Sequence, residues 1–463
     1  MYMSKLTQQV TYPVVETAAG KLRGLCKEGG YIFRGIRYGK AERFQPPEPV
    51  QPWTGVRDAL AYGCAAPELY TELAADQFQQ PRYYVPQHED CQYLNLWTQS
   101  LDRESKRPVL VWFHGGGWDS GSSVEQFAYD GENMSRYGNL VFISVEHRLN
   151  CLGGLDLSAF GERYRLSNWA SLCDTLLALH WVRENAAAFG GNPDNVTLIG
   201  HAGGSSQVMT LLNTADADGL YHKAAIGGIP VSHTDISGGM TVKEAAQCVG
   251  RLTVQNLGLT AETVGRIEDI PYWYLAEAAC NAREQIQKEF CGRYQFEPAA
   301  DEKHLFTHTL EHPLRPETAA IPILSGSDFY AVGQPASHRV QKGILDIMRK
   351  HAAAGGKAWN WMFAPDPPTE NGTAPWRCCG SAYITHNARY MEASYVPSIS
   401  DQLQDQLCGA YAAFAEHGDP NHSLLPNWDS VTEECASTMI IDAHPRLFKT
   451  YGKSLFRSNI QSV

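Results

Sequence analysis

The sequence predicts an α/β fold in which a mostly parallel central sheet is flanked by helices. Short apolar runs at 196–199, 321–326 and 358–363 have the length and composition of buried strands. The segment 168–188 instead carries apolar residues at helical spacing. Because strands that alternate with helices form parallel sheets covered on both faces, we expect this architecture for the chain.

The remaining elements follow in chain order. Residues 11–38 alternate apolar and polar side chains between glycines, which is typical of antiparallel edge strands. Residues 89–97 form another extended stretch, 213–320 mix helical segments with loops, and 402–416 have the pattern of a C-terminal helix. No internal repeat or low-complexity linker divides the chain, so residues 1–463 are predicted to form a single domain.

Composition narrows the classes of partner. The chain has 463 residues with 43% hydrophobic side chains, which is enough for a large core. Its net charge is −12 and it has no basic cluster, so nucleic acid is an unsuitable partner.

The N-terminal residues lack the apolar core of a signal peptide, and no window of 18 apolar residues could span a membrane, so a cytoplasmic protein without a membrane partner is expected. The 12 cysteines lack paired metal spacing, and we expect reduced thiols, no metal and no cofactor. We expect the substrate to be a small molecule. We expect the protein to be a monomer or a homodimer.

The chain is organised around the stretch Val196–Ser206, which reads Val-Thr-Leu-Ile-Gly-His-Ala-Gly-Gly-Ser-Ser. It predicts a strand, a tight turn and a helix, the arrangement of the nucleophile elbow Gly-x-Ser-x-Gly. The central position of this pattern is Ala202, whose methyl group cannot attack a carbonyl carbon. The glycines around Ala202 fix how the sequence aligns with this pattern. Any proposed function must therefore account for an alanine at the nucleophile position.

Several motifs stand in order along the chain. Residues Arg43–Pro47 read Arg-Phe-Gln-Pro-Pro, Glu89–Asn95 read Glu-Asp-Cys-Gln-Tyr-Leu-Asn, and His114–Gly117 form a glycine run. With these motifs the chain resembles the type-B carboxylesterases, the cholinesterase-like branch of the α/β-hydrolases, over nearly its whole length. Gln92 replaces the leucine usual in the second motif.

The resemblance implies the α/β-hydrolase fold, with the helices of about 213–320 forming a lid over the site, where substrate preference is set. It also implies an ion pair between Arg43 and Glu89. A disulfide of Cys91 with Cys64 is implied as well, but the expected cytoplasmic location leaves this bond open.

The resemblance also gives positions for the three members of a catalytic triad. The serine position is Ala202. The acid position, five residues beyond Gly326, is Ala331, with Asp328 as the alternative carboxylate close by.

The histidine position follows Pro375 and Trp376 and is Arg377. His386 is a candidate for a displaced histidine, although an ordinary surface residue is the simpler interpretation. Arg377 could instead bind a carboxylate or phenolate.

The oxyanion hole, in contrast, is predicted to be intact. By resemblance its donors are the backbone amides of Gly116, Gly117 and Gly203. The alternative explanation is that these glycines are present because the turns demand them.

Other residues near the motifs have two interpretations. Four aromatic residues could line an apolar pocket or belong to the core, namely Trp118, Phe127, Trp376 and Tyr383. His201 could contact substrate or point beneath the elbow. Glu146 and His147 end a buried strand beside Arg148, which suggests a structural ion network, and Asp119 is a candidate cleft carboxylate without an identifiable partner.

Three functions are compatible with these observations. The first is a non-hydrolytic enzyme that uses the oxyanion hole to stabilise an enolate or polarised carbonyl, as in elimination, dehydration, isomerisation, decarboxylation or cyclisation of a small apolar or aromatic substrate. The second is a carboxylic ester hydrolase captured as an inactive Ser→Ala variant at Ala202. The third is a non-catalytic protein that binds small molecules. We expect the first, a lyase-like or isomerase-like enzyme.

Overall fold

The computed structural model describes residues 10–69, 85–228, 240–290, 292–301, 314–328, 335–365, 378–391 and 395–451. Its strands are β1 Val14–Glu16, β2 Lys21–Arg23, β3 Leu25–Lys27, β4 Gly30–Arg37, β5 Gly39–Lys40, β6 Glu48–Pro49, β7 Val56–Asp58, β8 Tyr93–Thr98, β9 Arg107–Phe113, β10 Val141–Val145, β11 Gly191–His201, β12 Lys223–Gly227, β13 Ile323–Asp328, β14 Ala358–Phe363, β15 Cys435–Ile441 and β16 Arg446–Tyr451. Its α-helices are α1 Glu132–Tyr137, α2 Asn150–Gly154, α3 Ala170–Asn185, α4 Gly203–Leu212, α5 Val242–Asn256, α6 Tyr272–Glu289, α7 Pro335–Ala353, α8 Gly380–Ile384 and α9 Ile399–His417. Short 3-10 helices occupy Arg103–Ser105, Phe127–Tyr129, Ser158–Phe160, Glu162–Tyr164, Ser167–Trp169, Ala186–Phe189, Ala215–Ala217, Val264–Asp269, Pro316–Ala320 and Ala388–Tyr390.

A sheet of 11 strands organises the molecule, in the order β16-β15-β14-β13-β12-β11-β9-β10-β8-β4-β3. The strands from β15 to β10 run parallel to their neighbours, whereas β16 at one end and β8, β4 and β3 at the other are antiparallel. The mostly parallel sheet is therefore confirmed, and so are the antiparallel N-terminal strands. Of the latter, β1 pairs with β2 in a separate three-stranded sheet, in which β2 also pairs with β7 in parallel.

Both faces of the sheet are covered. Along β9, Val109, Val111 and Phe113 contribute to one core cluster, while Leu110 and Trp112 contribute to the other. Helices α3, α4 and α7 add apolar residues to the first cluster, and α9 adds residues to the second. Because successive side chains of a strand point to opposite faces, the sheet is buried on both sides.

The predicted helical lid of 213–320 needs a correction, because this range includes β12 (Lys223–Gly227), which lies within the central sheet. The helices of this region are α5 and α6, which pack with α2 in a third core cluster. Their role as a lid over the site stays a prediction. In the described ranges, no helix is long and apolar enough to cross a membrane.

The ion pair between Arg43 and Glu89 is confirmed. Arg43 Nε lies 2.5 Å from Glu89 Oε2. The Nη1 of Arg43 also donates to the backbone carbonyls of Ile267, at 3.3 Å, and of Ile270, just before α6. Arg43 therefore ties the N-terminal segment to the helical region. Cys64 and Cys91 are both free thiols, so the disulfide left open by the sequence is not formed.

Candidate functional site

The turn between β11 and α4 has the backbone conformation of a nucleophile elbow. Ala202 has φ 52° and ψ −116°, a conformation that costs a residue with a side chain about 1–3 kcal/mol. A Cβ on Gly200 would lie 2.1 Å from the carbonyl oxygen of Gly204, and one on Gly204 would lie 2.0 Å from that of Phe113. Only glycine allows these approaches, so the chain is forced through the strained turn at Ala202.

Hydrogen bonds from neighbouring backbone hold this turn in place. The amide of Ala202 donates to the carbonyl of Gly227 at the end of β12 (2.8 Å), and the amide of Ser205 donates to the carbonyl of Ala202 (3.0 Å). The hydroxyl of Ser205 also donates to the carbonyl of Gly227 (2.6 Å). None of these bonds uses the side chain at position 202, so the turn keeps its shape whichever small residue stands there.

The three predicted oxyanion-hole donors meet beside Ala202. A Cβ built on Gly203 would lie 2.1 Å from the amide nitrogen of Gly117 and 3.1 Å from that of Gly116. In the described part of the chain, no group accepts a hydrogen bond from these three amides. Gly116 is exposed and Ala202 is half-buried, so the turn faces solvent. Gly203 also begins α4, whose N-terminus favours negative charge.

His201, predicted among the substrate-binding residues, lies beneath the turn. Its ring lies against Gly227 and Gly228, and its Nε2 is 3.8 Å from Asp328 Oδ2. Burial lowers the pKa of His201 to about 4, so the ring is neutral near pH 7. Only 1% of the surface of His201 is exposed, and its assignment to substrate binding stays a prediction.

Asp328, the alternative acid, ends β13 and is buried. Its Oδ1 accepts a hydrogen bond from the amide of Gly380 (2.9 Å), and burial raises its pKa to about 7. Asp328 is thereby joined to the segment that directly follows Arg377. Arg377, Trp376 and Ala331 lie outside the described residues, so the histidine and acid positions stay predictions.

Three of the four aromatic residues predicted to line a pocket, Tyr383, Phe127 and Trp118, lie among the described residues. Tyr383 packs in the core with its ring 4.7 Å from Phe363, and its assignment to substrate binding stays a prediction. Phe127 is half-buried with its ring 6.0 Å from Tyr390, and Trp118, one residue beyond the glycine run, is buried. Contact of Phe127 or Trp118 with a substrate stays a prediction.

His386, the candidate displaced histidine, contacts Asp405 and Tyr137. Its Nε2 lies 2.8 Å from Asp405 Oδ1 on α9, and its ring stacks on Tyr137 at 4.5 Å. These contacts agree with an ordinary surface residue.

Among the described residues, no group of three or more histidine, cysteine, aspartate or glutamate side chains could hold a metal ion.

The loop after the glycine run is fixed by Glu146, which follows β10. Ser123 donates to Glu146 Oε1 from both its amide and its hydroxyl, each at 2.7 Å. Burial raises the pKa of Glu146 to about 8, so this carboxyl is protonated at neutral pH. The suggested ion network forms beside it, between Arg148 and Asp174, whose Nη2 to Oδ1 distance is 2.7 Å.

We expect Glu146 to make the stability of the protein depend on pH. Its folded-state pKa lies above the ordinary value of about 4.3, so between roughly pH 4 and pH 8 the folded state holds a proton that the unfolded state releases. The free energy of unfolding therefore falls as pH rises through this window. Glu146→Gln keeps the acceptor oxygen and removes the titration. In urea unfolding, the variant should gain more than about 1.4 kcal/mol relative to the parent between pH 5 and pH 8, which corresponds to one pKa unit.

Glu104→Gln is the matched control, because the Glu104 side chain is 82% exposed. This variant should follow the parent at both pH values. An equal difference between Glu146→Gln and the parent at pH 5 and pH 8 would contradict the protonated, buried carboxyl.

Two contacts of the site were not predicted from the sequence. The side-chain amide of Gln295 lies 3.6 Å from where a Cβ on Gly117 would stand. Asp119, the cleft carboxylate without an identifiable partner, pairs with Arg283 on α6 at 2.6 Å. Each contact joins residues more than a hundred positions apart, and no motif signals it.

Comparison with known proteins identifies the family. The model of the Carboxylesterase family matches residues 11–333. The chain belongs to the carboxylesterase family. The chain is 29% identical to para-nitrobenzyl esterase of Bacillus subtilis (strain 168), over 94% of this chain and 96% of that protein. It is 27% identical to phenmedipham hydrolase of Pseudarthrobacter oxydans, over 93% and 95% of the two chains.

A solved esterase from the anaerobe Clostridium hathewayi, described as able to hydrolyse aliphatic aromatic polyesters, superimposes on this chain with a TM-score of 0.85. The two sequences are 38% identical, and the match covers 96% of this chain and 97% of the other. The α/β-hydrolase fold implied by the resemblance is confirmed.

These relatives correct the expected activity. The non-hydrolytic enzyme, whether an elimination, dehydration, isomerisation, decarboxylation or cyclisation catalyst, is wrong because the relatives are named esterases and a hydrolase. The terms lyase and isomerase therefore do not apply. The ester hydrolase, the second function compatible with the sequence, agrees better with the names of these relatives.

Proposed function

We propose that the chain is a carboxylic ester hydrolase whose nucleophile position is occupied by Ala202. As it stands, the molecule binds an ester without forming an acyl-enzyme, and a serine at 202 would supply the missing nucleophile. The observation that carries the proposal is the strained turn at Ala202, where the amides of Gly116, Gly117 and Gly203 meet. The methyl group of alanine cannot attack a carbonyl carbon at this turn, whereas the oxygen of a nucleophile can.

The arrangement suits acyl transfer. A serine oxygen at position 202 would attack the ester carbonyl carbon while a base takes its proton, and the carbonyl oxygen would become the tetrahedral oxyanion. The three amides would donate to that oxygen, and one such donor is worth about 2.7–4 kcal/mol of transition-state stabilisation. Collapse would expel the alcohol, and water would then release the acid from the acyl-enzyme.

The names of the relatives support small esters with an apolar or aromatic part as the substrate class. One is a para-nitrobenzyl esterase, and another is described as acting on aliphatic aromatic polyesters. The cytoplasmic location and the monomeric or homodimeric state inferred from the sequence stay predictions.

Covalent labelling tests the proposal without requiring turnover. The parent and Ala202→Ser are incubated with an ethyl fluorophosphonate, which reacts with activated serine hydroxyls, and intact masses are measured. Ala202→Ser should gain one adduct that peptide mapping places on residue 202, and the parent should gain none because it has no nucleophile there.

Ser205 provides an internal control, because it is buried and its hydroxyl donates to the carbonyl of Gly227. It should stay unlabelled in both proteins. An unlabelled Ala202→Ser variant, or an adduct on another serine alone, would overturn the proposal.

A further inference from the structure

Two buried histidine rings are stacked next to the glycine run. His114 follows β9 and directly precedes the run, and His147 stands two residues beyond β10. The ring centroids are 4.8 Å apart, and the ring planes are within 8° of parallel. Because β9 and β10 are parallel neighbours in which Phe113 pairs with Val145, the residues that follow the two strands meet at the same edge of the sheet.

His114 holds the start of the glycine run. Its Nδ1 lies 2.8 Å from the carbonyl oxygen of Gly115, and since a carbonyl oxygen can only accept, Nδ1 carries the proton. A Cβ on Gly115 would lie 3.7 Å from the Cβ of Ala202, so this hydrogen bond fixes backbone that contacts the nucleophile position. A Cβ on Gly121 would stand 2.2 Å from the same carbonyl oxygen, because the loop closes tightly over it.

His147 connects the ring of its neighbour to the elbow helix. Its Nδ1 donates to the carbonyl of Arg148 at 3.0 Å and lies 2.9 Å from Ser171 Oγ on α3. With the proton on Nδ1, the Nε2 of His147 accepts a hydrogen bond from the side-chain amide of Gln207 at 2.6 Å. Gln207 is buried and lies one turn of α4 after Gly203. The contacts therefore link the helix that begins with one oxyanion-hole donor to the strand end that precedes the other two.

Both imidazole rings are neutral near pH 7. Burial lowers the pKa of His147 to about 4, and burial together with the neighbouring His147 ring lowers the pKa of His114 to about 3. The arrangement requires a neutral His147, because a protonated ring would face the amide nitrogen of Gln207 with a second donor. Since neither ring is exposed, the two histidines act on the oxyanion hole through the backbone that they hold.

We propose that Gln207 and His147 are positioning residues that set the separation between the Gly203 amide and the amides of Gly116 and Gly117. A displacement of about 1 Å can cost about 100-fold in rate, so the hydrogen bond that fixes α4 against the glycine run acts on the transition state. Contacts with the rest of the substrate do not depend on it. This inference deepens the proposed ester hydrolase and rests on it for the role of the three amides.

The first test uses the protein as it exists and requires no turnover. Butyrate is the probe, because one oxygen of its carboxylate can occupy the position of the oxyanion. With glycines labelled by a nitrogen isotope, NMR titration should shift the amide resonances of Gly116, Gly117 and Gly203 and give a dissociation constant. Gln207→Met, which keeps the length of the side chain and removes its amide, should raise that constant at least about tenfold.

The second test is kinetic and uses p-nitrophenyl butyrate with the Ala202→Ser variant. Adding Gln207→Met should lower kcat at least about tenfold and leave KM within about twofold, because the donors act on the transition state. His147→Phe, which keeps a ring stacked on His114 but carries no nitrogen, should have the same effect. The value of kcat is calculated per fluorophosphonate-labelled site, so that unfolded protein does not contribute.

Thr210→Val is the matched control, because Thr210 is buried on the same helix and its hydroxyl donates within α4, to the carbonyl of Ser206 at 2.9 Å. This variant should change neither the dissociation constant nor kcat. No shift of the three amides with butyrate, an unchanged dissociation constant in Gln207→Met, or an equal loss in Thr210→Val would overturn the inference. Failure of the proposed function is a separate outcome, because the butyrate titration decides the position of the amides even if Ala202→Ser hydrolyses no ester.

Discussion

Replacing Ala202 by serine, alone or combined with Arg377→His, is expected to raise the rate of p-nitrophenyl butyrate hydrolysis towards the ~10⁶-fold that removal of a triad serine costs in a serine hydrolase. The expectation rests on the turn, which is held by contacts that do not involve the side chain at 202. Ala202 is half-buried and faces solvent beside three amides, so an added oxygen has both space and an oxyanion hole. Initial rates followed by p-nitrophenolate absorbance measure the gain.

Ala202→Gly is the matched control, because it changes the same position without adding a hydroxyl. It should stay at the background rate of the parent. Arg377→His, alone and combined with Ala202→Ser, examines the predicted histidine position. Arg377→His alone should have no effect, because the chain still lacks a nucleophile at position 202. If neither Ala202→Ser nor the double variant exceeds Ala202→Gly, the chain is not an ester hydrolase that lacks only these groups.

The second large effect is expected from Asp174→Asn, which should lower the free energy of unfolding by about 3–5 kcal/mol. Asp174 accepts from Arg148 Nε at 2.8 Å and Nη2 at 2.7 Å, and from the Arg148 amide at 3.0 Å. The two side chains are 3% and 0% exposed, so the variant leaves a guanidinium in the interior without its counter-charge. Urea unfolding followed by circular dichroism measures the change.

The surface pair Arg183–Asp194 is the matched control. Its Nη1 to Oδ1 distance of 2.6 Å is similar, but the side chains are 43% and 70% exposed. Asp194→Asn should therefore cost no more than about 1 kcal/mol. A loss for Asp174→Asn as small as that for Asp194→Asn would show that burial adds nothing to the pair.

The parts of the site that could be predicted from the sequence are those that backbone geometry dictates. Gly200 and Gly204 are required by close approaches of the chain, and their spacing in the sequence is sufficient to locate the turn and Ala202. The glycine run could be placed in the same way. The alternation of strands and helices was sufficient for the mostly parallel sheet.

Side-chain direction could not be predicted in the same way, because it depends on neighbours distant in sequence. Tyr383 had the residue type of a pocket wall, but it packs against Phe363 in the core. The strand β12 was missed because its sequence Lys-Ala-Ala-Ile-Gly is short and has Ile226 as its only β-branched residue. The contact of Gln295 with the glycine run depends on tertiary packing alone.

The self-supporting turn at Ala202 has a consequence for how this molecule can change over generations. Alanine codons become serine codons through a single substitution at the first base. Since the surrounding backbone already has its final shape, that substitution requires no compensating change to the fold of the turn. Genes that encode the alanine and the serine at this position therefore differ by one base. A population can gain or lose the hydroxyl in one mutational step.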